Sequence, residues 1–172
     1  EDPEVSAYVQ EQFAAEGIRV LTGHTAKEVV QEDGQNLLLC ETDGESVKIP
    51  FDHILIAIGR RPNVTGFGLE ELGVKISERG TVAVDPLLRT NFPNIFAVGD
   101  VAGPYQFTHT ASHMAWYASV NALFGTFKSF KVDYSVIPWA TFTDPEVARV
   151  GLSEDEAKAQ NIAYEVTRYG ID

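Results

Sequence analysis

Two Asp-Gly dipeptides, Asp33-Gly34 and Asp43-Gly44, interrupt a stretch of strand-like residues. A two-residue loop of this composition adopts the turn whose twist matches paired strands, so it commits its flanks to antiparallel pairing. Residues 25–30, 36–41 and 46–49 are therefore expected to form a β-meander. Directly after it, Ile54-Leu55-Ile56-Ala57-Ile58 is uniformly apolar, the pattern of a strand covered on both faces in a parallel sheet. That run ends in Gly59-Arg60-Arg61-Pro62-Asn63. A glycine there allows a ligand or another backbone to approach closely. A tight turn with two solvated arginines is the plain alternative.

Around this centre the chain reads as alternating helix and strand. Asp2-Pro3-Glu4 is a helix start, with a capping carboxylate, a first-turn proline and an acid near the positive end of the dipole. Val5, Tyr8, Val9, Gln12 and Phe13 follow at helical spacing, Gly17 stops the helix, and 18–21 reads as a short strand. A second apolar run, 95–98, ends abruptly in Gly99-Asp100. Open α/β sheets bind ligands just outside the carboxyl ends of their strands. Asp100 can accept two hydrogen bonds from neighbouring hydroxyls there, which suits a sugar or a ribityl chain. Taken alone, a turn aspartate capping its own backbone is the better reading of an arbitrary Gly-Asp, and the surroundings must decide.

Thr108 is placed as the N-cap of a helix from about 110 to 124, with Met114, Ala118 and Ala122 on one face and Gly125 as the stop. The amides at that helix start would stabilise an anionic or electron-rich ligand edge near Asp100. Further on, 139–142 and 147–151 read as paired strands around Thr143-Asp144-Pro145-Glu146. Ser153 to Glu156 is a capping box opening a helix to about Gln160, and 163–169 reads as a strand. A helix and strand at the first residues, and a strand at the last, suggest a chain that begins and ends in mid-domain.

A length of 172 residues can hold one ordinary domain or pieces of two or three. The net charge of -12 argues against a nucleic-acid partner, and no apolar run approaches membrane-spanning length. The opening residues do not look like a signal peptide. Cys40 is the only cysteine, which leaves no intrachain disulfide, redox pair or thiolate cluster and fits a cytoplasmic setting. It reads as a small buried hydrophobe in a meander strand. His109 and His113 stand four apart, as zinc-binding pairs do, but no third ligand is evident and no metal site is expected. No Gly-x-Ser-x-Gly elbow is present. Trp116, Tyr117, Phe124, Phe127 and Phe130 read as core and interface packing.

Five blocks, in order and spacing, resemble the two-dinucleotide flavoprotein disulfide reductases, in particular their dihydrolipoamide dehydrogenase and mercuric reductase branch. They are Ile58-Gly59-Arg60-Arg61-Pro62-Asn63, Leu69-Glu70-Glu71-Leu72-Gly73-Val74, the stretch from Thr90 to Asp100, Phe107-Thr108-His109-Thr110-Ala111, and Phe142-Thr143-Asp144-Pro145-Glu146-Val147-Ala148. The resemblance implies an α/β fold: parts of two three-layer nucleotide-binding domains, for FAD and NAD(P), with a β-meander, plus the start of an α+β dimerisation domain. Residues 1–64 would end the NAD(P)-binding domain, 65–131 would be the second half of the FAD-binding domain, and 132–172 would open the dimerisation domain.

By motif, Asp100 would bind the FAD ribityl chain, and Gln106, Phe107, Thr108 and His109 would run along the ribityl and the pyrimidine edge. Gly59 would sit against the nicotinamide cofactor, NAD or NADP, and Ala26 stands where relatives have a residue near it. The helix after Thr108 would stabilise negative charge on reduced flavin. The family's first Gly-x-Gly-x-x-Gly and its Cys-x-x-x-x-Cys pair are absent from this sequence, and no residue here matches the family's acid/base His-Glu pair. The chain thus resembles an internal fragment without catalytic residues of its own. The parent would be a homodimer, joined through its carboxyl-terminal domain, that passes electrons from NAD(P)H through flavin to a disulfide, metal-ion or other small-molecule acceptor. A non-catalytic dinucleotide-binding or dimerisation module, or a quinone- or ferredoxin-type flavoprotein reductase, is the alternative.

Overall fold

The structure, a computed structural model, describes residues 1–170. In chain order its elements are α1 (Pro3–Ala15), β1 (Thr25–Glu32), β2 (Gln35–Thr42), β3 (Glu45–Phe51), α2 (Leu69–Leu72), a 3-10 turn (Gly99–Val101), α3 (Thr108–Phe124), β4 (Pro138–Thr141), β5 (Val147–Val150) and α4 (Glu154–Ala159). They fall into two compact units, one comprising Glu1–Ala57 with Pro138 onward, the other Ile58–Ile137.

In the first unit the meander forms as its turns require. Strands β1, β2 and β3 pair antiparallel in that order. Both Asp-Gly loops have positive φ at both central residues, 50° and 83° at Asp33-Gly34 and 51° and 83° at Asp43-Gly44, the mirror-image turn that hairpins favour. The central strand β2 supplies the buried Leu37 and Cys40, and Cys40 faces Ala26 on one side and Val47 on the other. The register of β1 against β2 shifts between Ala26 and Glu28. Strands β4 and β5 form a separate hairpin, with Trp139 opposite Arg149. The Arg149 guanidinium lies 4.7 Å from the Trp139 ring centre.

The capping box at α4 is complete: Ser153 accepts from the Glu156 N–H and Glu156 accepts from the Ser153 N–H. Asp2 departs from expectation. It precedes α1 but caps no amide of that helix; its Oδ1 accepts instead from the Glu154 N–H at 3.0 Å, at the start of α4. Residues 18–21, 54–58 and 163–169 are not strands. A strand is stable only with a neighbour to complete its backbone hydrogen bonds, and among the described residues none pairs with them. Leu55, Ile56 and Ile58 accordingly stand 89, 71 and 91% exposed.

The second unit is built on α3. Its buried residues are Thr110, Met114, Ala118 and Asn121. Ala122 is exposed, contrary to the four-residue spacing read from the sequence. Successive steps of four drift around a helix with 3.6 residues per turn, and a step of three from Ala118 restores the buried face at Asn121. Met114 and Ala118 pack with Leu88 and Ala102, and Val84, Phe96, Ala97 and Val98 close over them. Residues 95–98 are half-buried but form only a single bridge, Arg89 to Phe96, rather than a full strand.

Side chains satisfy backbone groups that a sheet ladder would otherwise hold. Asn121 donates to the Leu87 and Phe130 carbonyls and accepts from the Phe130 N–H. Asp85 accepts from the N–H groups of Leu87 and Arg89 and from the Arg89 Nε. Burial by itself raises the Asp85 pKa, but the bonds from Arg89 and Leu87 outweigh it and hold the carboxyl below its ordinary value. A depressed folded pKa contributes stability that is present above the unfolded pKa, about 3.9, and is lost as pH falls through the folded value. Asp85→Ala is expected to lower unfolding stability by about 1–2 kcal/mol at neutral pH. The gap should narrow on acidification below pH about 4. Urea midpoints of both proteins across that range check this, and a gap that stays constant would remove Asp85 from the acid response.

Candidate functional site

The site begins where the half-buried run ends. Val98 is extended, Gly99 turns to φ +73°, and the N–H groups of Ala102 and Gly103 both donate to the Gly99 carbonyl at 3.0 Å. The Gly99 N–H donates to the Met114 sulfur at 3.4 Å, inside the core. A Cβ built on Gly99 would lie 3.1 Å from the Ala111 Cβ. Backbone conformation and contact distance thus both disfavour a side chain, and the turn sits directly on the first turns of α3.

Seated this way, the turn holds Asp100 at the surface, with its side chain 43% exposed. Arg60 reaches it: one guanidinium nitrogen, Nη1, donates to Asp100 Oδ2 at 3.2 Å and to the Gln106 carbonyl at 3.3 Å. Gly59, just before this arginine, has φ +132° and open space where a Cβ would be, so its turn is conformationally a glycine position. Arg60, still largely exposed, thus joins the Gly59 turn to the segment from Asp100 to Gln106.

After Gln106 the chain enters α3 through a stack of rings. Tyr105 and Phe107 lie 6.2 Å apart at 12°, and Phe107 and His109 lie 5.3 Å apart at 9°. Thr108 is the first helical residue rather than the N-cap; the cap is Phe107, and no side chain bonds the helix start. The reason is visible in its backbone: Phe107 keeps extended angles, φ -121° and ψ 142°, and the helix begins one residue later. Within the first turn, the Thr110 hydroxyl is buried without a hydrogen-bond partner among the described residues.

His113, one turn beyond His109, is engaged elsewhere: its Nε2 donates to the Asp133 carbonyl at 2.7 Å and its ring meets Tyr117 edge-on. Among the described residues no group of three or more His, Cys, Asp or Glu side chains could hold a metal ion. Burial, then the neighbouring Tyr105, pushes the Tyr134 phenol above its ordinary pKa, so it stays neutral beside the ring stack.

Asp100, Gln106, Phe107, Thr108, His109 and Gly59 all belong to this one unit, and Arg60 links the Gly59 turn to Asp100 and Gln106. Ala26 lies in the other unit, on β1 opposite Cys40. Sequence reasoning missed Arg60, Met114 and Ala111 as parts of the site. Arg60 adjoins a glycine singled out for its position, which was the available signal; nothing local marks Met114 or Ala111 as the seat of Gly99.

Comparison with known proteins places these residues in context. Residues 1–115 match the pyridine nucleotide-disulphide oxidoreductase family, and residues 137–172 match the dimerisation domain of the same group. A dihydrolipoyl dehydrogenase of Chlamydia pneumoniae is 39% identical over 96% of this chain and 34% of its own length. A mercuric reductase of Streptomyces lividans is 39% identical over 100% of this chain and 36% of its own. The chain thus spans about a third of the length of the curated relatives it matches. Among solved structures, LpdA from Mycobacterium tuberculosis superposes with a TM-score of 0.79 at 29% identity, covering 95% of this chain and 34% of that one. The Cu(II) complex of the HOCl-induced flavoprotein disulfide reductase RclA from Escherichia coli gives 0.78 at 27%, covering 93% and 35%. The described elements are those of a fragment of that fold.

The seat of Gly99 makes a definite prediction. Gly99→Ala forces a left-handed backbone on a residue with a Cβ and presses it against Ala111, so stability should fall by about 1–3 kcal/mol. Adding Ala111→Gly should recover the steric part and leave the backbone part. Urea unfolding of the two variants reads this directly. An unchanged midpoint in Gly99→Ala would show that the turn is not held as described.

Proposed function

Because the chain belongs to the pyridine nucleotide-disulphide oxidoreductase family, we propose that it works as part of a longer, FAD-dependent NAD(P)H oxidoreductase. In this reading residues 1–64 complete an NAD(P)-binding domain, 65–131 supply the second half of an FAD-binding domain, and 132–172 begin a dimerisation domain that joins two copies. When bound, flavin would supply the redox chemistry linking the nicotinamide cofactor to a disulfide or metal-ion acceptor. The residues of this chain bind and orient. Asp100 accepts from the ribityl hydroxyls, Gln106 to His109 line the ribityl and the pyrimidine edge, and Gly59 and Ala26 lie against the nicotinamide cofactor. The relatives' branch, dihydrolipoyl dehydrogenase and mercuric reductase, favours this over a quinone or ferredoxin reductase and over a non-catalytic module.

One observation carries the reading: an exposed carboxylate, Asp100, held on a glycine turn that packs against the first turns of an uncapped helix. The donor set suits FAD. A ribityl chain offers hydroxyl donors to a carboxylate, and an electron-rich pyrimidine edge suits backbone amides at a helix start. The apolar run Leu55, Ile56 and Ile58, exposed here, supports a covering layer from a longer protein. No helix among the described residues is long and apolar enough to cross a membrane. A cytoplasmic setting completes the reading, and the free Cys40 agrees with it.

The full-length protein, purified with FAD, should show flavin absorbance that bleaches with NADH or NADPH. Asp100→Ala should weaken FAD binding by roughly 10- to 100-fold, the effect of losing hydrogen bonds to a charged group. A full-length protein with neither flavin absorbance nor bleaching would end this proposal.

A further inference from the structure

We infer that Arg60 is a positioning residue for the flavin site: it fixes the Asp100 carboxylate and the Gln106 carbonyl relative to each other before the cofactor enters. The inference rests on the reading of Asp100 as a flavin ligand given above. Its own observation is separate. A single guanidinium nitrogen serves both acceptors, at 3.2 Å and 3.3 Å, although Arg60 precedes them by 40 and 46 residues.

Three features make this a scaffold rather than a chance surface pair. First, the guanidinium touches only one carboxylate oxygen, Oδ2, and a carboxylate has room for about four hydrogen bonds. Oδ1 is thus left for a ligand hydroxyl while the carboxylate plane is held. Second, the other acceptor is a main-chain carbonyl of the segment leading into α3, so the arginine orients backbone as well as side chain. Third, Arg60 follows Gly59, whose φ of +132° restricts that position to glycine and fixes the direction in which the arginine leaves the turn.

An exposed ion pair between flexible side chains contributes little by itself to folding. Arg60 is 66% exposed, so removing it strands no buried charge. Its effect should therefore fall on ligand binding, where a carboxylate already oriented spares the ordering that binding otherwise requires.

The test is a double-mutant cycle on the full-length protein, stripped of flavin and titrated with FAD by fluorescence quenching. Arg60→Met should weaken FAD binding by about tenfold, Arg60→Lys by less, because the charge remains while the planar fork is lost. In an Asp100→Ala background, Arg60→Met should have little further effect, since the group it positions is gone. Thermal melts of the flavin-free Arg60→Met protein should match the parent. Equal or tighter FAD binding in Arg60→Met would overturn the inference, with tighter binding marking Arg60 as an obstruction. Additive losses in the double variant, or an unfolded Arg60→Met protein, would overturn it too. If Asp100→Ala alone leaves FAD affinity unchanged, the flavin reading of Asp100 fails, and that result is distinct from a failure at Arg60.

Discussion

The contact between Gly99 and α3 is the constraint on which the second unit depends. With no side chain at Gly99, the turn can approach to the point where an added Cβ would be 3.1 Å from Ala111. Its N–H meets the sulfur of Met114, which is fully buried. A thioether is a weak acceptor, so this hydrogen bond alone does not fix the turn. The fixing comes from packing: Met114, Ala118, Leu88 and Ala102 fill the space beneath, and an unbranched thioether adapts to an irregular gap. The turn, and with it the direction of Asp100, is set by shape.

Polar side chains do the rest where a sheet would normally act. Every buried backbone N–H and C=O must find a partner, and this unit has only isolated bridges to offer. Asn91 accepts from the Lys75 N–H and donates to the Gly73 carbonyl, tying the end of α2 to the segment before Gly99. Asn121 and Asp85 perform the same service for the loops around Leu87 and Phe130. These amide and carboxylate staples let long irregular segments close over α3 and so permit the half-buried run 95–98 to end where it does.

How much of this was legible depends on the range of each interaction. The Asp-Gly turns and the Ser153 capping box were readable because their physics lies within four residues of chain. Residues 18–21, 54–58 and 163–169 were read as strands from apolar content, but a strand is a relation between two segments, and content cannot supply the neighbour. Asp2 shows the same limit for capping. Its sequence position promises a cap for α1, and its carboxylate serves α4 at the far end of the chain. In the site, Asp100 was legible from its place after an apolar run. Arg60, Ala111 and Met114 were not, since their roles depend on contacts made across 12 to 46 residues.

Three aspartates in one unit decide which reading of Gly99-Asp100 is better supported. A self-capping turn aspartate accepts from the amide two residues on. Asp85 does so with Leu87, and Asp133 does so with Ser135, each at 2.9 Å. Both carboxyls are held below their ordinary pKa by those local bonds and their neighbours. Asp100 makes no such bond among the described residues; its side-chain partner is Arg60, from a distant turn. The ordinary local use of an aspartate is therefore available in this fold, and Asp100 is held out of it. A carboxylate spared from capping, braced on one oxygen and open on the other, is suited to a ligand's hydroxyl groups.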